Sequence, residues 1–144
     1  MWINIGRSQF HLPTGGPQAV RGRVGLVVPD IAALARRLAK VKLQLEGTQF
    51  SFREGNEFID AVSPWGTRLR CHPPQNRFGR VNLGVAYVTF DVPPNSAAGI
   101  ARFYREVMEA PAQLVDDHEG RRYPRVERVP GTADRLYAIL APSM

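Results

Sequence analysis

The sequence predicts an α+β fold built from two repeats of one unit, in which a strand is followed by a helix and then by three more strands. Residues 24–29 (VGLVVP) and 88–93 (VTFDVP) carry the same pattern, a short β-type run that ends at a proline, at an offset of 64 residues (88 − 24). Apolar residues at helical spacing follow each run, and a pattern repeated at a fixed offset is typical of a duplicated module. Antiparallel strands that are covered on one face by helices give an α+β fold.

The first repeat is preceded by a predicted hairpin at 2–12, in which two β-type runs flank a Gly-Arg-Ser turn. The β-branched run 23–28 predicts the opening strand, and Asp30 is placed to be the N-cap of a helix over 31–41. The three strands that complete this repeat are predicted at 49–52, 58–62 and 67–72.

The second repeat follows a linker at 73–80 (PPQNRFGR), which contains proline and glycine and has no periodicity. Its opening strand is predicted from about Leu83, and its helix over 96–109 with Asn95 or Ser96 as the cap. Three weaker strands are predicted at 113–115, 125–129 and 135–140. The predicted organisation is an N-terminal hairpin segment at 1–20, a first module at 21–74 and a second module at 81–144.

The composition limits the partners and the compartment of the protein. It has 144 residues, of which 44% are hydrophobic, and no apolar run approaches the roughly 18 residues of a membrane span. The single cysteine, Cys71, can form no internal disulfide, which predicts a reducing cytoplasmic location. The net charge of +6 is spread over scattered basic residues without interleaved aromatics, so we predict no nucleic-acid partner.

Several stretches resemble the vicinal oxygen chelate superfamily of glyoxalases, bleomycin-resistance proteins and extradiol dioxygenases. Residues 24–30 (VGLVVPD) resemble the strand that opens a module, and 63–70 (SPWGTRLR) the turn and strand that close one. Residues 9–12 resemble the last strand of a preceding module, and Phe103-Tyr104 a pair on the helix. The resemblance implies βαβββ modules whose curved, mainly antiparallel sheets form a cup. It also implies a function among lyases, isomerases, dioxygenases, thiol transferases and non-catalytic drug-binding proteins.

The resemblance also implies where a divalent metal would be held, by His and Glu side chains on strands that face the cup. The opening-strand histidine falls at Arg23, the closing-strand glutamate at Arg70, and the two other positions at His11 and Tyr87. Of these, His11 is the one competent ligand, because a guanidinium group has no lone pair for a metal. We therefore expect no cofactor.

A second set of metal ligands stays open. Gln9 shares a strand face with His11, and His72 shares a face with Arg70. If the chain is instead a metal-dependent lyase or dioxygenase, we expect His11, His72 and Gln9 to hold its divalent ion.

The arginines of the closing strand indicate a different chemistry. Alternation places Arg68 and Arg70 on one face and Leu69 and Cys71 on the other. Together with Arg23, such guanidinium forks could bind a carboxylate, a phosphate or a phenolate, whereas the competing interpretation is an ordinary solvent-exposed face. The predicted ligand-binding residues are Arg23, Arg68, Arg70, Trp65 and Tyr87.

Three functions are compatible with these patterns: a small-ligand-binding or degenerate non-catalytic protein, a metal-dependent lyase or dioxygenase, and a remnant without a ligand. Arg23 and Arg70 at the metal positions favour the first, with a small molecule as the partner. The hairpin at 1–12 lacks a module of its own, and its strand edges need a partner. We therefore predict a homodimer.

Overall fold

The computed structural model describes residues 1–6, 8–12, 14–16, 18–116, 122–126 and 137–142. The chain divides into two compact units, Met1–Ala86 and Tyr87–Met144. The α+β prediction is confirmed, because a strand, a helix and three further strands follow one another twice along the chain. The module boundaries at 1–20, 21–74 and 81–144 stay a prediction.

The first unit contains a hairpin and a complete βαβββ arrangement. Its four-stranded sheet has the order β4-β5-β6-β3, in which β4, β5 and β6 are antiparallel and β3 is parallel to β6. The bounds are β1 (Trp2–Ile5), β2 (Ser8–His11), β3 (Gly22–Val27), α1 (Ile31–Val41), β4 (Ser51–Glu54), β5 (Ile59–Val62) and β6 (Arg68–His72), with short 3-10 turns at Leu43–Leu45 and Asn76–Phe78.

The second unit repeats this connectivity with the order β8-β9-β10-β7, in which β7 is parallel to β10. Its core consists of small and branched residues, and the ring of Tyr104 packs against it. The bounds are β7 (Gly84–Val92), which starts in the first unit, α2 (Ala97–Glu106), β8 (Ala112–Asp116), β9 (Arg122–Val126) and β10 (Tyr137–Pro142). No helix among the described residues is long and apolar enough to cross a membrane.

One face of the first sheet forms the core of its unit. Val24, Leu26, Ile59, Ala61 and Cys71 alternate along β3, β5 and β6, and all are buried. The register pairs Leu26 with Cys71 and Cys71 with Ile59, so these side chains lie side by side on one face. The residues between them are therefore presented on the opposite face.

Helix α1 begins where the sequence predicts, because Asp30 caps it. The backbone N–H of Ala33 donates to Asp30 Oδ1 at 2.7 Å, which satisfies one of the unpaired donors at the helix start. Helix α2 is shorter than the predicted 96–109. It ends at Glu106 because Glu109 adopts a left-handed conformation (φ 50°) and the Ala110 N–H donates back to Tyr104 O.

The strand predictions differ from the structure mainly at their ends. The predicted strand 49–52 begins only at Ser51, because the Phe50 N–H is taken by the Thr48 hydroxyl in a turn. The predicted strands at 113–115, 125–129 and 135–140 correspond to β8, β9 and β10. Parts of the last two predictions, 127–129 and 135–136, lie outside the described residues.

The hairpin β1–β2 packs against the residues that lead into β7. The Val85 N–H donates to Ser8 Oγ at 3.1 Å. Gly6 has φ +62°, and a Cβ there would collide with the backbone carbonyl of Leu83, so only glycine fits. The hairpin is thus a fixed part of the first unit.

We expect Asp30→Ala to lower the free energy of unfolding by about 1 kcal/mol, because it removes the side-chain cap of α1. Asp30→Asn is the matched control and should lose much less, since its amide oxygen can accept the same hydrogen bond. Urea unfolding followed by circular dichroism measures both variants. Equal losses would show that the cap does not stabilise the helix.

The homodimer stays a prediction, and the hairpin is where we expect its interface. Trp2 is 63% exposed and Ile3 43%, on strands that pair only with each other among the described residues. Light scattering should give twice the chain mass of 16.1 kDa. Trp2→Ser should shift the protein toward the monomer, whereas Leu43→Ser, which changes an even more exposed apolar residue on the 3-10 turn, should not. A wild-type monomer would contradict the prediction.

Candidate functional site

The face of the first sheet opposite its core carries most of the predicted site. Antiparallel register places Asp60 opposite both Arg53 and Arg70, and alternation adds Arg68 on β6 and Arg23 on β3. These five residues are called the arginine face below. The structure thus brings together the three predicted arginines, and it adds a carboxylate and a fourth arginine that were not predicted.

Arg70 and Asp60 form a bidentate ion pair across β5 and β6. Arg70 Nε donates to Asp60 Oδ1 at 2.7 Å and Arg70 Nη2 to Oδ2 at 2.8 Å. The two side chains are only 25% and 21% exposed, so water screens this pair weakly. Arg53 Nη2 lies 3.6 Å from the same Oδ2, but its side chain is 80% exposed and this contact is correspondingly weak.

The surrounding charges keep Asp60 ionised. Partial burial by itself raises the pKa of Asp60, but the hydrogen bond and charge of Arg70 oppose this, helped by the charges of Arg23 and Arg53. The net result is a pKa below the ordinary value of an aspartate. The carboxylate is therefore a fixed negative charge within the arginine face.

A second contact fixes the position of Arg70. Its guanidinium carbon lies 4.0 Å from the centroid of the Phe58 ring, within the range of a cation–π interaction. The group is thus held at its edge by Asp60 and on its plane by Phe58. Arg68 is held separately, because its Nε donates to the Gly22 carbonyl at 2.9 Å where β3 begins.

His72 follows on the same face of β6, but it lies in an aromatic cluster. Its ring centroid is 4.9 Å from that of Phe78 and 6.1 Å from that of Phe58, and the residue is only 4% exposed. Burial, with the charges of Arg77 and Arg70, lowers the pKa of His72 from 6.5 to about 4. His72 is therefore neutral at physiological pH.

The hydrogen bond of His72 argues against a role as a metal ligand. Arg77 Nη2 lies 3.3 Å from His72 Nδ1, and since a guanidinium can only donate, Nδ1 must accept. In the neutral ring the proton is then on Nε2. Neither nitrogen keeps a lone pair for a metal in this arrangement.

The other two residues of the alternative metal set have partners within the hairpin. The His11 ring stacks on Trp2 at 4.2 Å with an interplanar angle of 20°, and Gln9 Nε2 donates to Asn4 Oδ1 at 2.8 Å. Across the part of the chain that the structure describes, no three His, Cys, Asp or Glu side chains are grouped to hold a metal ion. Among the described residues, His11 and Gln9 therefore have their contacts within the hairpin.

The remaining predicted site residues lie at different places. Trp65 lies in the turn between β5 and β6 and is 44% exposed. Tyr87 belongs to the second unit, where it pairs in register with Tyr137. Cys71 lies on the core face, and burial raises the pKa of its thiol to about 11, so it is not a nucleophile at neutral pH.

Sequence reasoning missed Asp60, Arg53 and Phe58. A signal for Asp60 was present, because it is the one charged residue in the run 58–62 (FIDAV), and a carboxylate in a half-buried strand needs a partner. Which residue would be its partner could not be deduced without the β5–β6 register. The arrangement as a whole offers positive charge and N–H donors, which is chemistry for binding anions.

Comparison with known proteins gives structural neighbours but no sequence relatives. No family model and no curated protein matches the sequence. The chain is similar to a methylmalonyl-CoA epimerase from Mycobacterium tuberculosis, with a TM-score of 0.52 and 12% identity over 93% of this chain and 94% of that one. It is also similar to a variant of the Streptomyces coelicolor methylmalonyl-CoA epimerase in complex with 2-nitronate-propionyl-CoA, with a TM-score of 0.50 and 11% identity over 88% and 98%.

At such low identity these similarities are evidence for the fold alone. They agree with the α+β prediction and with the resemblance seen in the sequence. The chain has the fold of the vicinal oxygen chelate superfamily.

Proposed function

We propose that this protein is a non-catalytic, small-ligand-binding member of the glyoxalase/bleomycin-resistance type, and that its arginine face binds a small anion. The anion would be a carboxylate, a phosphate or a phenolate, since these match the fork of a guanidinium. The observation that carries the proposal is the bidentate Arg70–Asp60 pair at the position where the resemblance implies a metal-binding glutamate.

The charge of the face supports this proposal. Its four arginines and one aspartate give a formal charge of +3 (4 − 1). Like charges repel more strongly in a partly buried setting than in water, so this face disfavours a divalent cation and favours an anion. Arg23 and Arg70 also lack the lone pairs that a metal would need.

Aromatic residues would supply the apolar part of the site. Phe58 already covers one plane of Arg70, and Trp65 is exposed in the turn that leads into β6. A ligand with an apolar body and an anionic head would suit this combination. Tyr87 stays a predicted contact that rests on the resemblance, because it belongs to the second unit.

The alternative is a metal-dependent lyase or dioxygenase that uses His11, His72 and Gln9. It is disfavoured because His72 accepts a hydrogen bond from Arg77, and because burial and the nearby arginines lower its pKa to about 4. The cytoplasmic location also stays a prediction that rests on the single cysteine.

We expect Arg23→Gln and Arg68→Gln each to weaken anion binding about tenfold or more, because each removes charge-assisted hydrogen bonds. The titration follows Trp65 fluorescence in a Trp2→Phe background, which leaves Trp65 as the only tryptophan. Phosphate, acetate, phenolate analogues and a coenzyme A thioester are the probes, the last because one structural neighbour is described with such a ligand.

Arg37→Gln is the matched control for these two variants. It removes the same charge from an exposed position on α1, which is not one of the residues of the arginine face. If all three variants weaken anion binding equally, the loss of affinity reflects the net charge of the protein and not the arginine face. Absence of binding by the wild type to every probe would contradict the proposed function.

A pH titration tests whether His72 is a structural residue. Because the folded-state pKa of about 4 lies below the ordinary 6.5, the unfolded chain binds more protons in this window, and stability is lost as the pH falls from 6.5 to 4. The loss should be on the order of 3 kcal/mol. His72→Phe, which suits the aromatic cluster, should show a smaller loss over this window. Identical pH profiles would contradict the assignment.

A further inference from the structure

We infer that Arg53 supplies a guanidinium fork that contacts the anion, and that Arg70 is a positioning residue, which leaves Arg53 available by pairing with Asp60. The inference rests on the proposed function, because it assigns roles within the same site. It goes further in separating an arginine that contacts the ligand from an arginine that prepares the site for it.

The arginines of the arginine face differ in how their donors are used. Arg70 donates to both oxygens of Asp60, at 2.7 and 2.8 Å. Arg68 Nε donates to a backbone carbonyl at 2.9 Å. Arg53 makes no hydrogen bond to any residue that the structure describes, and its guanidinium is held by one contact, 3.6 Å from Asp60 Oδ2. An anion can therefore bind Arg53 without breaking a hydrogen bond, whereas on the Asp60 edge of Arg70 it must replace a carboxylate.

Asp60 lies between two arginines that compete for it. The register places Arg53 opposite Asp60 on β4 and Arg70 opposite it on β6. Arg70 is both the closer partner and the less exposed one, so its pair with Asp60 is the stronger. Arg70 thereby offsets the negative charge of Asp60, and the positive charge of Arg53 remains for an anion from solution.

Without Arg70, Asp60 would act against anion binding in two ways. Its charge would repel an incoming anion, and its carboxylate would be the nearest partner for the donors of Arg53. Phe58 strengthens the existing arrangement, because its ring lies 4.0 Å from the guanidinium carbon of Arg70 and holds that group in place. The fixed arginine thus holds the carboxylate, while the exposed arginine is left to meet the ligand.

The exposure of Arg53 limits the size of its effect. Its side chain is 80% exposed, so water screens its charge, and binding must also order a long side chain. These costs offset part of the gain from charge-assisted hydrogen bonds. We therefore expect Arg53 to contribute about fivefold to the affinity.

Titrations with phosphate and acetate, followed by NMR, test the role of Arg53. Arg53→Gln should weaken binding about fivefold, and Arg53→Lys, which keeps the charge but not the fork, about two- to threefold. Arg37→Gln, which removes one charge from an exposed position on α1, is the control and should have a smaller effect. If Arg53→Gln only matches Arg37→Gln, the inference is overturned.

A double-mutant cycle tests the positioning role of Arg70. Arg70→Gln should weaken binding about fivefold, because Asp60 then pairs with Arg53, and adding Asp60→Asn should return the affinity to about that of the wild type. If Arg70 itself bound the anion, Asp60→Asn would instead have its larger effect with Arg70 present, where it uncovers the fork. That result would overturn the inference.

The exposed Arg53 variants decide the question if Arg70→Gln does not fold, since they leave the Arg70–Asp60 pair in place. Weaker binding in Arg23→Gln and Arg68→Gln, together with an Arg53→Gln variant that matches its control, would overturn this inference and leave the proposed function standing. A wild type that binds neither phosphate nor acetate would overturn this inference directly, and failure with every other probe as well would overturn the proposed function.

Discussion

The bidentate pair between Arg70 and Asp60 is the interaction on which the charge and geometry of the arginine face depend. It joins the middle of β5 to the middle of β6 on the face opposite the core. A half-buried arginine without such a partner would be an uncompensated charge, and a half-buried aspartate likewise. Once paired, the two side chains give the face a polar surface that is rich in N–H donors.

The neighbouring residues follow from this pair. Phe58 covers the plane of Arg70, and the same ring continues into the cluster of His72 and Phe78. Burial, with the nearby charges of Arg77 and Arg70, lowers the pKa of His72, so this histidine is a neutral part of the packing at physiological pH. Arg70, which lies where the resemblance implies a metal-binding glutamate, is thus part of one connected cluster with Phe58, His72 and Phe78.

Local signals in the sequence predicted the elements well, whereas contacts between strands could not be predicted. The Asp30 cap and apolar spacing give α1 with its observed bounds, because both signals act within one or two turns. The alternation of side chains along β6 correctly predicted that Arg68 and Arg70 lie on one face of the strand and Cys71 on the other. The partner of Arg70 depends on the β5–β6 register, which the turn at 63–67 fixes through hydrogen bonds between Ser63 and Thr67. The end of α2 likewise depends on a left-handed Glu109 that no propensity favours.

Elemental analysis tests most directly whether the arginine face binds anions in place of a divalent metal. Protein purified without chelators is analysed for zinc, nickel, iron and manganese, beside a His11→Ala variant prepared in the same way. We expect metal far below one equivalent per chain in both samples. About one equivalent in the wild type that is lost in His11→Ala would contradict the proposed anion-binding role and favour the metal-dependent enzyme.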